Sequence, residues 1–598
     1  MRAVGCMMLV LVGMATVANA DPATSRIPVQ LTWDQKIPMR DGVQLSATIY
    51  RDPAQAKRVP AIVVLTPYIA EEVAPQGAYF AQHGYAFVAV DLRGRGNSGG
   101  AFIPGQSEGK DGFDAVEWIA RQPWCDGQVA TWGGSWRGFA QWSLAKELPP
   151  HLKTMVPTAA VHLGVDFPQP GGVYSSYVLQ WLSFVNGHAS NKSVFESDAI
   201  WTNAMWQLAT TGRAFADLEQ ITGIRNTVFR TWLAHPREDA FWQALAPSPA
   251  QYARLRIPIL TITGHFDDDQ LGALTYYERH MAHGAPDVTR QHLLVIGPWD
   301  HGGTRHPVAE LGGLSFGADA VVDVLDLHRA WYDHVLKGAA LPALLSDRIA
   351  CFLMGRNTWI HAASLAQLEG PALTFALDAT DARPGDVLHG GALVDQPAAL
   401  AAVTVVSDPR ALPSRDLIEA DAPAYLKDQR FDYDGQPSHV SWHSAPLPAE
   451  LVVAGRPRIK LRVAIDQPDA DLGVVLSELL PDGTAVMLSA AILRLRYRKG
   501  GVQPVMMAPG VPELVEIPGM RFFARALAKG SRLRLTVDVS ARVGLQANTN
   551  TGGDLANEPL VRARVAKVTI LTGGARGSVI ELPRPEPAIL QALGTGKR

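Results

Sequence analysis

Residues 131–142 read TWGGSWRGFAQW and place one serine, Ser135, where a predicted strand meets a predicted helix. The preceding residues QVATW are typical of a short strand, and the following residues SWRGFAQWSLAKEL have the apolar spacing of a helix. A serine at such a sharp turn is exposed as a nucleophile, and neighbouring glycines leave room for the turn. Gly133 and Gly138 supply them, although Arg137 stands where the commoner form of this turn has its second glycine. The stretch therefore predicts a nucleophilic serine.

The length and composition indicate an ordinary multidomain globular protein. A chain of 598 residues is too long for one core and predicts two or three domains. Hydrophobic residues make up 47% and charged residues 19%, and the net charge is −3. This balance gives no reason to expect nucleic acid or an anionic membrane surface as a partner.

The hydrophobic pattern divides the chain into regions of different character. Short buried strands alternate with helices in two stretches, which predicts a mostly parallel sheet covered on both faces. Between them lies a helical segment rich in aromatic residues, and after them the helical period gives way to strands with Asp-Gly and Pro-rich turns. The predicted regions are a sheet domain at 28–155 and 248–345, a helical cap at 156–247 and an all-β domain, a sandwich, at 346–598.

Residues 1–20 have the three parts of a secretory signal, namely a positive end, an apolar run and the small residues ANA. Cleavage after Ala20 would export the mature protein to the periplasm or the medium. The alternative is a buried N-terminal helix. In an oxidising compartment Cys125 and Cys351 could pair, but their wide separation favours two separate buried thiols.

A serine nucleophile needs a histidine base and a carboxylate that orients the base. In a sheet of this kind these groups follow later strands, in the order serine, aspartate, histidine. Asp267 comes three residues after Gly264 at the end of one later strand, and His301 comes four residues after Gly297 at the end of the next. Chain order and position therefore predict a triad of Ser135, Asp267 and His301.

The pattern leaves other candidates open. Asp267 is also placed to begin a helix, in which case the carboxylate would come from Asp268 or Asp269. His265 and His306 compete for the role of the base. A divalent metal ion held by 267–269 with His301 and His306 is a further alternative, but no HExxH or comparable ligand spacing supports it. No metal or other cofactor is predicted.

The oxyanion of an acyl-transfer reaction needs hydrogen-bond donors. The backbone N–H of Trp136, directly after the serine, is one candidate because it heads a helix. The hydroxyl of Tyr68, in the loop after an early strand, is the second, and Pro67 would fix its approach. The alternative for Tyr68 is a packed aromatic side chain.

Five stretches together resemble the family of X-prolyl dipeptidyl peptidases, cocaine esterases and α-amino-acid ester hydrolases. They are GKDGFDAVEWIARQPWCDGQVATWGGSWRGFAQW, LTPYIAEE, DLRGRGNSGG, GHFDDD and GPWDH. The resemblance implies an α/β-hydrolase domain with an inserted helical cap, followed by a C-terminal jelly-roll sandwich. It matches Ser135, Asp267 and His301 to the catalytic triad, and Tyr68 and the N–H of Trp136 to the oxyanion hole. The family usually has tyrosine at the position of Trp136, a change that a backbone donor tolerates.

The resemblance also bears on substrate. It implies that Trp181 lines the acyl pocket, with a packed tryptophan of the cap core as the alternative. Family members that bind a substrate α-ammonium use carboxylates just past the catalytic aspartate; Asp269 matches one of them, but Gln270 replaces another. The expectation is an exported serine hydrolase acting on small esters or amides. An X-prolyl dipeptidyl peptidase or amino-acid ester hydrolase is the alternative enzyme, and an exported binding protein without catalysis is the alternative outside enzymes.

Overall fold

A computed structural model describes residues 28–396, 399–416, 422–574 and 576–595. The predicted signal segment 1–20 lies outside the described residues. The first part of the chain is built on one ten-stranded sheet. Its strands are β1 (Gln30–Pro38), β2 (Gln44–Arg51), β3 (Val59–Thr66), β4 (Ala86–Asp91), β5 (Cys125–Gly134), β6 (Leu152–Thr158), β7 (Ile259–Phe266), β8 (His292–Asp300), β11 (Ile349–Leu353) and β12 (Thr358–Ala362). They lie in the order β1-β2-β4-β3-β5-β6-β7-β8-β11-β12 across the sheet. A separate small ribbon consists of β9 (Glu310–Leu311) and β10 (Leu314–Ser315).

The seven central strands from β4 to β11 are parallel, and the outer strands β1, β2 and β12 are antiparallel. Strands such as β3 and β4 are buried almost throughout, because helices cover both faces of the sheet. The helices around the sheet are α1 (Ala74–Gln82), α2 (Glu108–Ala120), α3 (Trp136–Ala145), α11 (Gln270–His283), α12 (Pro286–Thr289) and α13 (Val324–Lys337). Helices α1 and α13 cover one face, and α2, α3 and α11 cover the other. The predicted parallel sheet is confirmed.

The cap, residues 159–258, leaves the sheet after β6 and returns at β7. Its helices are α4 (Tyr177–Phe184), α5 (Lys192–Phe195), α6 (Asp198–Thr211), α7 (Leu218–Thr222), α8 (Thr227–Leu233), α9 (Ala240–Gln243) and α10 (Pro249–Tyr252). The predicted range 156–247 began inside β6, a central strand that the sequence pattern did not reveal. Its sequence LKTMVPT contains a lysine and a proline and so lacks the apolar run by which the neighbouring strands were recognised.

The boundary between the sheet and the C-terminal domain also differs from the prediction. The predicted boundary before residue 346 assigned β11 and β12 to the all-β domain. In the structure β11 pairs in parallel with β8 and in antiparallel with β12, so both strands belong to the first sheet. Hydrophobic alternation identifies a strand but does not show which sheet it joins.

The C-terminal domain is rich in strands. They are β13 (Ala372–Asp378), β14 (Gly391–Val394), β15 (Ala401–Ser407), β16 (His439–Ser444), β17 (Leu451–Gly455), β18 (Arg458–Ile465), β19 (Asp471–Leu479), β20 (Ala485–Arg494), β21 (Glu513–Ile517), β22 (Phe523–Leu527), β23 (Arg532–Asp538), β24 (Ala566–Thr572) and β25 (Val579–Pro583); two helices, α14 (Leu365–Leu368) and α15 (Pro587–Thr595), flank them. Along β18 buried and less buried residues alternate, as expected for a strand with one face on a core. The predicted all-β character is confirmed, apart from the flanking helices.

Within the described parts of the chain, none of the helices has the length and apolar character needed to cross a membrane. Cys125 and Cys351 are both free and buried. They belong to different hydrophobic clusters, so the two thiols are structural packing groups of separate regions.

Candidate active site

Ser135 lies at the junction of β5 and α3 in a strained backbone conformation. Its φ of 62° and ψ of −127° fall in a region that residues other than glycine rarely adopt. Its backbone N–H points to the carbonyl oxygens of Thr158 and Ala159, at 3.0 and 3.1 Å, and these contacts hold the turn against the end of β6. The turn presents the serine at the carboxyl edge of the sheet, as a nucleophile elbow does.

The two glycines of the turn are required by close contacts. Gly133 has a φ of 137°, and a Cβ atom added there would lie 2.6 Å from the Cβ atom of Arg137. A Cβ atom at Gly138 would lie 2.9 Å from the Cβ atom of Ala160. The second glycine thus serves the packing of α3 against the chain that follows β6, which explains why this turn tolerates an arginine one position earlier.

Asp267 and His301 meet at the ends of β7 and β8. The Nδ1 atom of His301 donates a hydrogen bond to Oδ1 of Asp267 at 2.8 Å. The other carboxylate oxygen of Asp267 accepts the hydroxyl of Thr263 at 2.8 Å, and Asp267 is fully buried. With Nδ1 engaged in this way, Nε2 of His301 remains as the acceptor that a general base requires.

Asp267 and His301 shift each other's pKa in the directions expected for a hydrogen-bonded ion pair. Burial would raise the pKa of Asp267, but the hydrogen bond and charge of His301 outweigh it and lower the pKa. Burial would lower the pKa of His301, but the charge of Asp269 and the hydrogen bond and charge of Asp267 raise it to about 9. The pair therefore favours the imidazolium form of His301, which is the form that arises when a histidine acts as a general base.

The phenol of Tyr68 is buried beside the serine. Its oxygen accepts a hydrogen bond from Nε1 of Trp181 at 3.1 Å, and its hydroxyl also interacts with the side chain of Ser135. Because the indole occupies a lone pair of the Tyr68 oxygen, the phenolic proton is free to be donated. The backbone N–H of Trp136 is at the first position of α3, where an intrahelical acceptor is lacking. Both predicted oxyanion donors are thus adjacent to Ser135.

The side chain of Trp136 is fixed on two sides. Its Nε1 atom donates to Oε1 of the buried Glu108 at 3.2 Å, and its ring lies 4.5 Å from the ring of Trp181. The family that this sequence resembles usually has tyrosine at this position. The indole of Trp136 therefore anchors the start of α3 and leaves the backbone donor in place. Glu108 had no signal in the sequence that linked it to the site.

Two further carboxylates, of Asp269 and Asp166, line the same cavity as the histidine. Oδ2 of Asp269 is 3.6 Å from Nδ1 of His301, and burial raises the pKa of Asp269 to about 7. Asp166, from the cap, accepts the backbone N–H groups of His162 at 2.8 Å and Gly272 at 2.6 Å. Burial, and then the charge of Asp269, raise the pKa of Asp166 well above its usual value. Sequence reasoning missed Asp166 because it lies about a hundred residues before Asp269 in the chain.

The other residues considered beside the triad, His265, Asp268 and Gln270, interact with groups outside the triad. His265 is buried, with Nε2 2.7 Å from the carbonyl oxygen of Phe352. Asp268 is largely exposed and pairs with Arg521 at 3.0 Å. Gln270 donates to the backbone of the C-terminal domain and so adds no polar group beside Asp269. In the part of the chain that the structure describes, no group of three or more potential ligand side chains could hold a metal ion.

Ser135, His301 and the two candidate oxyanion donors line one cavity of about 730 Å³. Its walls come from the sheet domain, the cap and the C-terminal domain; they include Ser135, His301, Trp136 and Tyr68 from the first, Asp166, Phe167, Tyr177 and Trp181 from the second, and Ile492, Met520 and Arg521 from the third. Trp181 packs against Trp136 and, edge to face at 5.7 Å, against Phe167. An apolar aromatic wall beside a serine and a histidine suits an acyl group whose carbonyl must reach the serine.

The chain matches two protein-family models and a known esterase. Residues 41–303 match the family model described as X-Pro dipeptidyl-peptidase (S15 family), and residues 349–581 match that of the X-Pro dipeptidyl-peptidase C-terminal non-catalytic domain. The chain is 27% identical to cocaine esterase from Rhodococcus sp. (strain MB1 Bresler) over 573 residues, which cover 92% of this chain and 97% of that protein.

Two solved structures share the fold. An aminopeptidase from a marine sediment Thaumarchaeota archaeon has a TM-score of 0.78 at 22% identity, covering 96% of this chain and 99% of its own. An α-amino acid ester hydrolase has a TM-score of 0.78 at 21% identity, covering 95% and 99%. Both likenesses extend over the sheet domain, the cap and the C-terminal domain together.

The charge of Asp269 should set the pH at which the histidine becomes a base. In Asp269→Asn, a negative charge 3.6 Å from Nδ1 is removed, which disfavours the imidazolium. The pKa of His301 should fall, and the acidic limb of kcat/KM for an uncharged ester should move to lower pH by about one unit. Asp268→Asn is the matched control because that carboxylate is largely exposed and paired with Arg521; its profile should stay in place. An unmoved limb in Asp269→Asn would contradict this assignment.

Proposed function

We propose that the chain, which belongs to the X-Pro dipeptidyl-peptidase (S15) family and is a serine hydrolase, cleaves ester or amide bonds of small acyl substrates through Ser135, His301 and Asp267. The observation that carries the proposal is the 2.8 Å hydrogen bond between His301 and the buried Asp267 at the edge of the cavity that Ser135 lines. Membership of an enzyme family removes the alternative of a binding protein without catalysis.

This geometry supports the following reaction. Nε2 of His301 takes the proton of the Ser135 hydroxyl as its oxygen attacks the substrate carbonyl carbon. The N–H of Trp136 and the hydroxyl of Tyr68 donate to the oxyanion of the tetrahedral intermediate. His301 then delivers its proton to the leaving alcohol or amine, and the acyl group stays on Ser135. Water, deprotonated by His301, releases the acid and restores the enzyme.

Removing the nucleophile should abolish turnover. Ser135→Ala should lower kcat for a chromogenic acyl ester by a factor of about a thousand or more, because no acyl-enzyme can form. Ser143→Ala is the matched control, since its hydroxyl lies on the same helix and points to the carbonyl of Leu245; it should keep the activity of the native protein. Turnover by Ser135→Ala at the native rate would show that the nucleophile is another residue.

The two extra carboxylates favour a substrate that carries an ammonium group. Asp166 is buried and the side chain of Asp269 is 16% exposed. The two interact electrostatically, and burial raises the pKa of each. Two such groups are best stabilised by a cation between them. Both alternative substrate classes carry a free amine on the acyl side. In α-amino acyl esters or amides it is on the carbon next to the scissile carbonyl, and in X-prolyl peptides it is one residue further away. We propose that this amine lies at Asp269 and Asp166, despite Gln270.

A pair of esters that differ only in the amine tests this proposal. The p-nitrophenyl esters of phenylalanine and of 3-phenylpropionate present the same ring and leaving group. The quantity to measure is kcat/KM for the amino ester divided by kcat/KM for the 3-phenylpropionate ester, taken at one pH so that changes in His301 cancel. In Asp269→Asn this ratio should fall about thirtyfold. Asp268→Asn should leave the ratio unchanged. An equal loss on both esters, or no preference for the amine in the native protein, would rule out recognition of the ammonium group.

We also propose that the C-terminal domain is a jelly-roll sandwich and that the protein is exported through residues 1–20, a segment that the sequence alone supports. Expression of the full chain in a Gram-negative host tests export. Protein recovered from the periplasm or the medium should begin at Asp21 on N-terminal sequencing. Retention in the cytoplasm with Met1 still present would contradict export.

A further inference from the structure

Arg137 is the residue by which the nucleophile turn departs from the commoner pattern. It lies two residues after Ser135, in the first turn of α3. Its Nε and Nη1 atoms are buried and have no hydrogen-bond partner among the described residues. Buried donors of a charged group are rarely left in this state, because desolvating a cation is unfavourable unless something compensates. The arrangement calls for a compensating interaction or a function.

The guanidinium faces aromatic rings. Its Cζ atom lies 5.4 Å from the ring centroid of Tyr68 and 5.8 Å from that of Trp132. The other charged groups that act on it are Arg305, which repels it, and Glu72, which contributes the weakest of the interactions. The cation is therefore held against the rings of Trp132 and of Tyr68, the residue that we assigned as an oxyanion donor.

A cation at the ring of a phenol acts on the phenol's hydrogen bonding. When Tyr68 donates to an oxyanion, its own oxygen and ring gain negative charge. A positive charge over the ring stabilises that change, and more strongly in a buried site than in water. Burial raises the pKa of Tyr68, whereas the hydrogen bond from Trp181 and the charge of Arg137 oppose the rise. Both neighbours thus make the phenol a stronger donor.

We propose that Arg137 is a positioning residue that strengthens the hydrogen bond from Tyr68 to the oxyanion. The interaction grows as negative charge develops, so it lowers the barrier without holding the substrate. This inference rests on the proposed function, specifically on the role of Tyr68. It also gives a reason for an arginine at a position where the turn itself needs no side chain.

A double-mutant cycle separates this role from a structural one. Arg137→Met keeps the Cβ atom and an unbranched apolar stem but removes the charge. With an uncharged ester, kcat of Arg137→Met should fall about threefold to thirtyfold with KM nearly unchanged. In a Tyr68→Phe background the same substitution should have little further effect, because the group it acts through is gone. Arg137→Lys should recover part of the loss.

The outcomes that would overturn the inference are distinct. An equal fold loss from Arg137→Met in both backgrounds, or no loss in either, would mean that the charge does not act through Tyr68. If the loss of kcat in Arg137→Met ran parallel to a fall in its thermal unfolding midpoint, and Arg137→Lys showed no such fall, the role of Arg137 would be purely structural. If Tyr68→Phe alone left kcat unchanged, the oxyanion role of Tyr68 in the proposed function would fail, whereas additive losses would overturn only the inference about Arg137.

Discussion

The backbone at Ser135 is the constraint on which the site depends. A positive φ at a residue with a side chain is unfavourable by about 1–3 kcal/mol and persists only where its surroundings hold it. Here the carbonyl oxygens after β6 receive the serine N–H, and Gly133 and Gly138 allow the close approach of α3. The same turn exposes the hydroxyl to the cavity and starts a helix whose first N–H is available at Trp136. One local conformation thus places both the proposed nucleophile and a proposed oxyanion donor.

The rest of the chemistry comes from elements that converge on this turn. Parallel strands end at the same edge of the sheet, which brings Asp267 and His301 together from the ends of β7 and β8. The cap supplies Trp181, whose indole orients the phenol of Tyr68. The C-terminal domain closes the cavity on the remaining side. A separate domain is therefore part of the cavity wall.

The sequence predicted the features that local pattern and chain order determine. Glycines and apolar runs mark where strands end in the sequence. This pattern predicted that Ser135, Asp267 and His301 follow strand ends. The pattern failed for β6, whose lysine and proline conceal a central strand, and for the boundary at 346, since alternation does not identify a strand's partner. Asp166 and the neighbours of Arg137 could not be predicted, because they depend on contacts between residues distant in the chain.

In the proposed mechanism, Tyr68 and the backbone N–H of Trp136 bind the oxyanion of an acyl group on Ser135. A crystal structure of the protein inactivated with an aryl phosphonate is the decisive measurement, since the phosphonyl oxygen stands in for the oxyanion. We expect a bond from Oγ of Ser135 to phosphorus, with one oxygen about 2.7–3.1 Å from the Tyr68 hydroxyl and the Trp136 nitrogen. A phosphonate on another residue, or an oxygen directed away from both donors, would contradict it.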